Sequence, residues 1–218
     1  MIDLHTHTFM SDGALVAAEL IRRASCLGYR CIGITDHADS SNLEAVIEGA
    51  KKVAEAVRPH WPIRVIPGVE LTHNPPALIP EMIREARRIG ALLVVVHGET
   101  IVEPVEEGTN SKAITGGADI IAHPGFITAR DAARAARKGV HLEITARKGH
   151  SLANGHVART ALEAGAPLIL GTDSHAPGDL TTRKEAERVA RGAGLRQGDI
   201  RRMFANAERL AKRLSTGD

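Results

Sequence analysis

Short apolar runs alternate with longer amphipathic stretches along most of this chain. The runs are rich in Val, Ile and Leu, which is typical of strands buried on both faces of a parallel sheet. The stretches between them carry apolar residues at helical spacing and often end at a glycine, as helices do. The pattern predicts strands at about 2–6, 31–35, 63–70, 91–97, 118–123, 140–145 and 167–172. It predicts helices at about 14–28, 43–57, 78–89, 129–138, 152–165, 181–192 and 199–214.

Strand and helix alternate without a linker or a repeat, so we predict a single α/β domain over residues 1–218. Two folds fit this order: a closed or nearly closed barrel, and an open doubly wound sheet. An open sheet gathers its site at one switch point, whereas a barrel can use the carboxyl ends of all its strands. Polar residues end nearly every predicted strand, which favours the barrel. We expect the C-terminal helices, at about 181–214, to pack on it.

Six of the eleven histidines and three carboxylates lie at or just beyond the ends of the predicted strands. They are His5, His7, Asp12, His37, Glu70, His97, His123, Asp173 and His175. Because parallel strands end at one face, these side chains are expected to converge at one mouth. A ring of nitrogen and oxygen ligands suits a multinuclear centre of Zn, Mn or Fe, since a single catalytic zinc uses three protein ligands. The alternative is that these are hydrogen-bonded histidines of the core. That alternative explains a single histidine well but a whole ring of them poorly. For Asp12 the alternative is a cap of the first helix.

Further residues are associated with the same mouth. Asp36 precedes His37 and is expected to orient a neighbouring imidazole, as metal-bound histidine usually requires. The candidates for contact with a phosphorylated substrate are Arg147, Lys148, His150 and His73, with a solvated loop as the alternative. The irregular stretch 98–117, with one helical turn predicted near 111–115, is long enough to form a lid or a specificity loop.

Composition narrows the classes of function. Aromatic residues make up 2% of the chain and the net charge is +2, which speaks against a nucleic-acid-binding surface. We find no apolar segment of membrane-spanning length and no secretion signal, so we expect no membrane association. Cys26 and Cys31 match no metal or redox spacing, and we expect both to be buried free thiols in a reducing cytoplasm.

The motifs at the strand ends, taken in order, resemble those of the PHP (polymerase and histidinol phosphatase) superfamily. They are His5-Thr6-His7-Thr8, Ser11-Asp12-Gly13, Thr35-Asp36-His37, Gly68-Val69-Glu70, His97, His123-Pro124-Gly125 and Gly171-Thr172-Asp173-Ser174-His175. The resemblance spans residues 2 to about 176 and implies a distorted (β/α)7 barrel with a trinuclear metal centre. It implies one metal held by His5, His7, Glu70 and Asp173. It implies a second at Glu70, His97 and His123, and a third at Asp12, His37 and His175.

The ring and the resemblance together predict a stand-alone, metal-dependent phosphoesterase. The expected reaction is hydrolysis of a small phosphate monoester by metal-activated hydroxide, with histidinol phosphate as one candidate substrate. We expect two to three Zn, Mn or Fe ions as cofactors, and Glu70, Asp173 and His175 as the catalytic residues. The alternatives are a nuclease or proofreading phosphodiesterase, a non-catalytic metal-binding module, and a metal-dependent amidohydrolase. The last usually carries a bridging lysine at a strand end, where this chain has none.

Overall fold

The computed structural model describes residues 1–214, and the last four residues of the predicted domain lie outside this range. Its strands are β1 (Ile2–Asp3), β2 (Cys31–Ile34), β3 (His37–Ala38), β4 (Arg64–Leu71), β5 (Leu93–His97), β6 (Ile120–Ala122), β7 (His141–Thr145) and β8 (Leu168–Gly171). Its α-helices are α1 (Ala17–Cys26), α2 (Leu43–Val57), α3 (Ile79–Ile89), α4 (Thr109–Gly116), α5 (Ala129–Lys138), α6 (Asn154–Ala164), α7 (Arg183–Gly192) and α8 (Gln197–Arg213). Short 3-10 helices cover His150–Ala153 and Pro177–Asp179.

The strands form one parallel sheet that is nearly closed into a barrel. Their order is β1-β2-β4-β5-β6-β7-β8, and the two-residue strand β3 also pairs with β4. Beyond the ends of β1 and β8, a parallel bridge joins Thr6 to Ser174. The N–H of His7 donates to the Ser174 carbonyl at 2.9 Å. This contact brings the first and last strands together and confirms the predicted (β/α)7 barrel.

The first strand ends earlier than predicted because Asp3 interrupts its ladder. The buried Oδ1 of Asp3 accepts the N–H of His5 at 3.2 Å and the N–H of Thr172 at 3.2 Å. The chain beyond Asp3 nevertheless follows the barrel wall, since the Thr6 hydroxyl donates to the Gly33 carbonyl at 2.6 Å. The HxH segment is thereby fixed against both neighbouring strands.

Aliphatic side chains fill the barrel, as expected for a chain with few aromatic residues. Leu4, Ile66, Val95 and Ile169 belong to one buried cluster that also includes Leu210 of α8. Helix α8 therefore covers the amino-terminal end of the barrel. A second cluster packs the surrounding helices against the outer faces of the strands. The carboxyl-terminal mouth is left to polar residues.

Both cysteines are free, and Cys31 is buried as expected. Cys26 is exposed, so the prediction of a buried thiol is wrong there. Helix α1 packs through Leu20, Ile21 and Ala24, and position 26 falls on its opposite face. No helix within residues 1–214 combines the length and hydrophobicity needed to cross a membrane.

Residues 98–108 form a loop that is fixed at its base. Oε1 of Glu99 accepts the N–H groups of Gly108 at 3.0 Å and Asn110 at 2.8 Å. The amide of Asn110 donates to the Pro124 carbonyl at 2.9 Å, which ties this loop to the chain that follows β6. Helix α4 comes next and is longer than the single turn predicted near 111–115.

Candidate metal centre

The structure places all nine predicted ligands at the carboxyl-terminal mouth of the barrel. His5 and His7 follow β1, His37 begins β3, and His97 ends β5. The other members are Asp12 before α1, Glu70 near the end of β4, His123 after β6, and Asp173 and His175 after β8. Parallel strands bring these ends together although the residues are spread over most of the chain.

The innermost group joins the HxH segment to two buried carboxylates. His5 Nε2 lies 3.3 Å from Glu70 Oε1, and His7 Nε2 lies 3.2 Å from Asp173 Oδ1. The two cross distances, from His5 to Asp173 and from His7 to Glu70, are each 3.7 Å. The four residues expected to hold one metal therefore converge with their ligand atoms facing one another.

A second group lies toward the solvent. Asp12 Oδ1 is 3.0 Å from His175 Nε2 and 3.6 Å from His37 Nδ1. His37 Nε2 is also 2.9 Å from Glu70 Oε2, so this group shares the Glu70 carboxylate with the inner one. The loop before α1 thus brings Asp12 to the mouth, where its carboxylate faces imidazoles rather than capping the helix.

The set predicted for the second metal, Glu70, His97 and His123, is less compact. His123 Nε2 lies 3.9 Å from Glu70 Oε1 and 3.7 Å from Asp173 Oδ2. The carboxylate beside His97 Nε2 is instead Glu103 Oε2, at 3.0 Å. The structure therefore places His123 with the inner group and turns His97 toward the 98–108 loop.

Several buried atoms of the ring have no hydrogen-bond partner. Within the described part of the chain these are His5 Nε2, both ring nitrogens of His7, Glu70 Oε1 and His123 Nδ1, and outside the ring Thr181 Oγ1. Buried polar atoms rarely stay unpaired, and a cluster of them is typical of a site that binds water or an ion. Mixed imidazole and carboxylate ligands suit Zn, Mn or Fe. The residues present therefore fit a divalent metal centre.

The buried imidazoles and carboxylates of the inner group shift one another's pKa values. Burial lowers the pKa of His5, but the carboxylates of Glu143, Glu70 and Asp173 outweigh it and raise that pKa well above its usual range. Burial opposes ionisation of Glu70, yet His5 and His37 hold the pKa of Glu70 well below its usual range. Burial and the neighbouring His97 lower the pKa of His123. Ionised carboxylates in a buried ring provide the negative charge that a cation neutralises.

Glu143 of β7 orients the His5 imidazole from behind and also holds the backbone of His123. Its Oε1 lies 2.8 Å from His5 Nδ1, and its Oε2 accepts the N–H of His123 at 3.0 Å. Such a carboxylate leaves the other nitrogen of the imidazole free to bind a metal. Gly171 permits this approach, because a Cβ there would lie 1.9 Å from Glu143 Oε1.

Asp36 does not have the role predicted for it. Its carboxylate accepts the N–H of Thr8 at 2.6 Å, the Thr8 hydroxyl at 2.7 Å and the Ser11 hydroxyl at 2.8 Å. Within residues 1–214 its side chain makes no hydrogen bond to an imidazole, and it holds the loop that leads to Asp12 instead. Its influence on the ring is through the backbone.

The four predicted substrate contacts lie at the same rim but differ in environment. Arg147 Nη1 is held 3.2 Å from Asp179 Oδ2 and 3.4 Å from the Asp173 carbonyl, whereas Lys148 is exposed. His150 is buried and stacks on His123, with ring centroids 4.1 Å apart. His73 is 40% exposed and lies 3.1 Å from Glu103.

Sequence reasoning misses two carboxylates, Glu103 and Asp179. Asp179 Oδ2 accepts the N–H of His175 at 3.0 Å and that of Ala176 at 2.8 Å, so it positions both His175 and Arg147. Glu103 lies in the 98–108 loop and Asp179 ends a three-residue 3-10 helix, and neither segment is long enough for a periodic pattern to mark them. The sequence signal for Glu103 is the length of the 98–117 stretch, which is enough to reach the mouth; Asp179 has no such signal.

Comparisons with known proteins identify the family. A family model described as PHP domain matches residues 3–97, the part that carries the ring from His5 to His97. An uncharacterized protein of Methanocaldococcus jannaschii is 50% identical over 91% of this chain and 92% of its own length. A probable phosphatase of Shewanella sp. (strain ANA-3) is 30% identical over 80% of this chain and 76% of its own length. The chain belongs to the PHP-domain family, as its motifs predict.

Solved structures share the barrel. A chain of an archaeal ribonuclease P with mature tRNA superimposes with a TM-score of 0.75 at 13% identity, covering 99% of this chain and 91% of that one. A histidinol phosphate phosphatase from Lactococcus lactis gives a TM-score of 0.60 at 16% identity, covering 88% and 91%. At these identities the likeness concerns the fold alone.

Proposed function

We propose that the protein is a metal-dependent phosphoesterase that hydrolyses a small phosphate monoester. The proposal is carried by the ring of imidazoles and carboxylates at the mouth, where several buried ring atoms among the described residues lack hydrogen-bond partners. The name of the Shewanella relative, a probable phosphatase, supports the enzyme class. The Lactococcus lactis phosphatase was solved with zinc, L-histidinol and phosphate, which supports a small phosphorylated substrate and a divalent metal.

The proposed cofactor is a centre of two to three Zn, Mn or Fe ions held by the nine residues of the ring. When bound, such ions neutralise phosphate charge and lower the pKa of an attacking water. Glu70 lies between the inner and outer groups, 3.3 Å from His5 and 2.9 Å from His37, so its two oxygens can serve both. Asp173 Oδ1 lies 3.2 Å from His7 and 3.3 Å from His175. We therefore assign Glu70, Asp173 and His175 a catalytic role, because they would hold the metal ions at which phosphate and water react.

Arg147 is the proposed phosphate-recognition residue. Its guanidinium is fixed by Asp179 at 3.2 Å, at the rim beside Asp173. A guanidinium can bind two oxygens of a phosphate at once. Lys148, His150 and His73 surround the same opening, with Lys148 free to reach an anion from solvent.

The enzyme is further proposed to work in the cytoplasm. Both of its cysteines are free thiols, the state that a reducing compartment maintains.

The test compares a phosphate monoester with a diester. Zinc- or manganese-loaded protein is assayed on p-nitrophenyl phosphate and on bis-p-nitrophenyl phosphate, with and without chelator. We expect chelator-sensitive turnover of the monoester, reduced more than about 100-fold in Glu70→Gln, because changing residues that merely orient ligands already costs about 10–100-fold. Glu163→Gln, an exposed change on α6, is the control. Preference for the diester would favour a phosphodiesterase, and full metal without turnover would favour a binding role.

A further inference from the structure

Exposed apolar side chains are concentrated at the mouth of the barrel. Of the eleven large apolar residues that are exposed within residues 1–214, eight lie between the end of a strand and the start of the next α-helix. A single exposed apolar residue needs no explanation, whereas a contiguous patch of them marks a binding surface. The eight residues are Phe9, Met10, Val16, Leu78, Ile101, Val102, Phe126 and Leu152.

Four of these residues, from the connections that follow β5, β6 and β7, form what we call the apolar patch. Val102 Cγ2 lies 3.6 Å from the position that a Cβ would take at Gly149, and the Gly149 carbonyl accepts the N–H of Leu152 at 3.1 Å. The ring centroid of Phe126 lies 5.4 Å from that of His156, which is one helical turn beyond Leu152. The three connections are therefore adjacent. The members of the apolar patch are Ile101, Val102, Phe126 and Leu152.

The apolar patch adjoins the ring of predicted ligands. His150 stacks on His123 with ring centroids 4.1 Å apart, and it lies two residues before Leu152. Its Nδ1 lies 2.7 Å from the hydroxyl oxygen of Thr100, which directly precedes the patch residues of its loop. Phe126 follows His123 by three residues. The ester group of a phosphate held at the ring meets the apolar patch when it leaves the mouth on this side.

The polar side chains of these connections are engaged with one another. The amide of Asn110 donates to the Pro124 carbonyl at 2.9 Å, and His156 Nε2 donates to the Ile127 carbonyl at 2.8 Å. The hydroxyl of Thr100 is engaged by an imidazole, as described above. A hydroxyl-rich group gains from free donors and acceptors, whereas an apolar group gains from leaving water. The patch therefore suits an apolar group.

We infer that the apolar patch binds an aryl or branched alkyl group on the leaving alcohol of the substrate. The inference rests on the proposed function, since it takes the substrate to be a phosphate monoester held at the ring. Phe126 is 67% exposed and Leu152 is 73% exposed, so both have accessible surface to lose against such a group. Removing that surface from water favours an apolar ester over a short or hydroxylated one.

Three esters of primary alcohols test the apolar patch: 2-phenylethyl phosphate, ethyl phosphate and glycerol 1-phosphate. Metal-loaded wild type should cleave the 2-phenylethyl ester with a kcat/KM about 10-fold above that of the ethyl ester, and the hydroxyls of the glycerol ester should add nothing. Phe126→Ala and Leu152→Ala should each lower the ratio of 2-phenylethyl to ethyl ester by about threefold. Leu27→Ala is the matched control, because Leu27 is exposed where α1 ends, away from the mouth, and it should keep the wild-type ratio.

Two results in active protein would overturn the inference. One is a wild type that cleaves the 2-phenylethyl and ethyl esters equally well or prefers the glycerol ester. The other is a fall of the ratio in Leu27→Ala that matches the fall in Leu152→Ala. Circular dichroism establishes that each variant is folded.

A binding measurement makes the result independent of turnover. Calorimetry compares 2-phenylethylphosphonate with ethylphosphonate, whose P–C bonds are not hydrolysed, and the first should bind about 10-fold more tightly. Preferential binding without cleavage of any phosphoester would refute the proposed function alone. Turnover without a preference in either measurement would refute the apolar subsite alone, and the absence of both would refute both. A dimer in sedimentation velocity that is lost in Leu152→Ala would assign the patch to a second copy of the chain and overturn the inference.

Discussion

Glu143→Gln tests how the ring of predicted ligands is held in place, because the Glu143 carboxylate contacts both the His5 imidazole and the His123 backbone. Glu143 is fully buried, and it contacts His5 Nδ1 at 2.8 Å and the N–H of His123 at 3.0 Å. Burial raises the pKa of Glu143, although His5 opposes this. Glutamine keeps the size of the side chain but removes its charge and places an N–H₂ group where one oxygen was.

The magnitude follows from the two contacts. If the amide nitrogen faces His123, two N–H donors meet and one is left unpaired, at a cost of about 1–3 kcal/mol. If it faces His5, the imidazole must present its other tautomer, and Nε2 then carries the proton instead of a lone pair. Replacing an orienting partner of this kind lowers metal affinity by about 10–100-fold, which corresponds to about 1.4–2.8 kcal/mol.

The assay is competition for Zn²⁺ against a chromophoric chelator. Glu143→Gln should bind zinc about 10–100-fold more weakly than wild type, and Glu163→Gln should bind it as wild type does. Circular dichroism and urea unfolding establish that the variant is folded. Wild-type affinity in a folded Glu143→Gln protein would refute the view that this carboxylate prepares His5 for a metal.

Three further predictions concern the barrel around the site. Gly171→Ala places a Cβ 1.9 Å from Glu143 Oε1, so it should lower thermal stability by about 1–3 kcal/mol and weaken zinc binding; an unchanged melting temperature would contradict the contact. Burial raises the pKa of Asp3 to about 6, above the unfolded value of about 3.9. The contribution of Asp3 to wild-type stability should therefore fall as pH rises between these values, and urea unfolding should show metal-free Asp3→Asn gaining stability relative to wild type from pH 4 to 7; a pH-independent difference would contradict this. Leu210→Ala should cost about 2–5 kcal/mol in urea unfolding, because that side chain is 2% exposed where α8 covers the barrel, and a loss below about 0.5 kcal/mol would contradict that packing.

The barrel is predictable from the sequence because the hydrophobic patterns of its strands and helices are regular. Strands buried on both faces leave continuous apolar runs, and helices on the outside leave amphipathic ones. The convergence of the nine predicted ligands is predictable because most of them lie at or just beyond a strand end, where topology alone brings distant residues together. His5 and Asp173 meet at 3.7 Å although most of the chain separates them.

The remaining side-chain contacts at the site depend on the conformation of loops, and the sequence has no regular pattern that predicts it. Asp36 is adjacent to His37 in sequence, yet its carboxylate accepts hydrogen bonds from Thr8 and Ser11. Glu103 reaches His97 because Glu99 fixes the base of the loop at Gly108, 3.0 Å away. These side chains lie in irregular segments, so only coordinates reveal which partners they have.

Anomalous diffraction at the zinc absorption edge tests the central claim most directly. Crystals of zinc-loaded protein should show anomalous peaks at the barrel mouth, between Glu70, Asp173 and the imidazoles of His5 and His7. Peaks confined to surface side chains, with none inside the ring, would contradict a metal centre there.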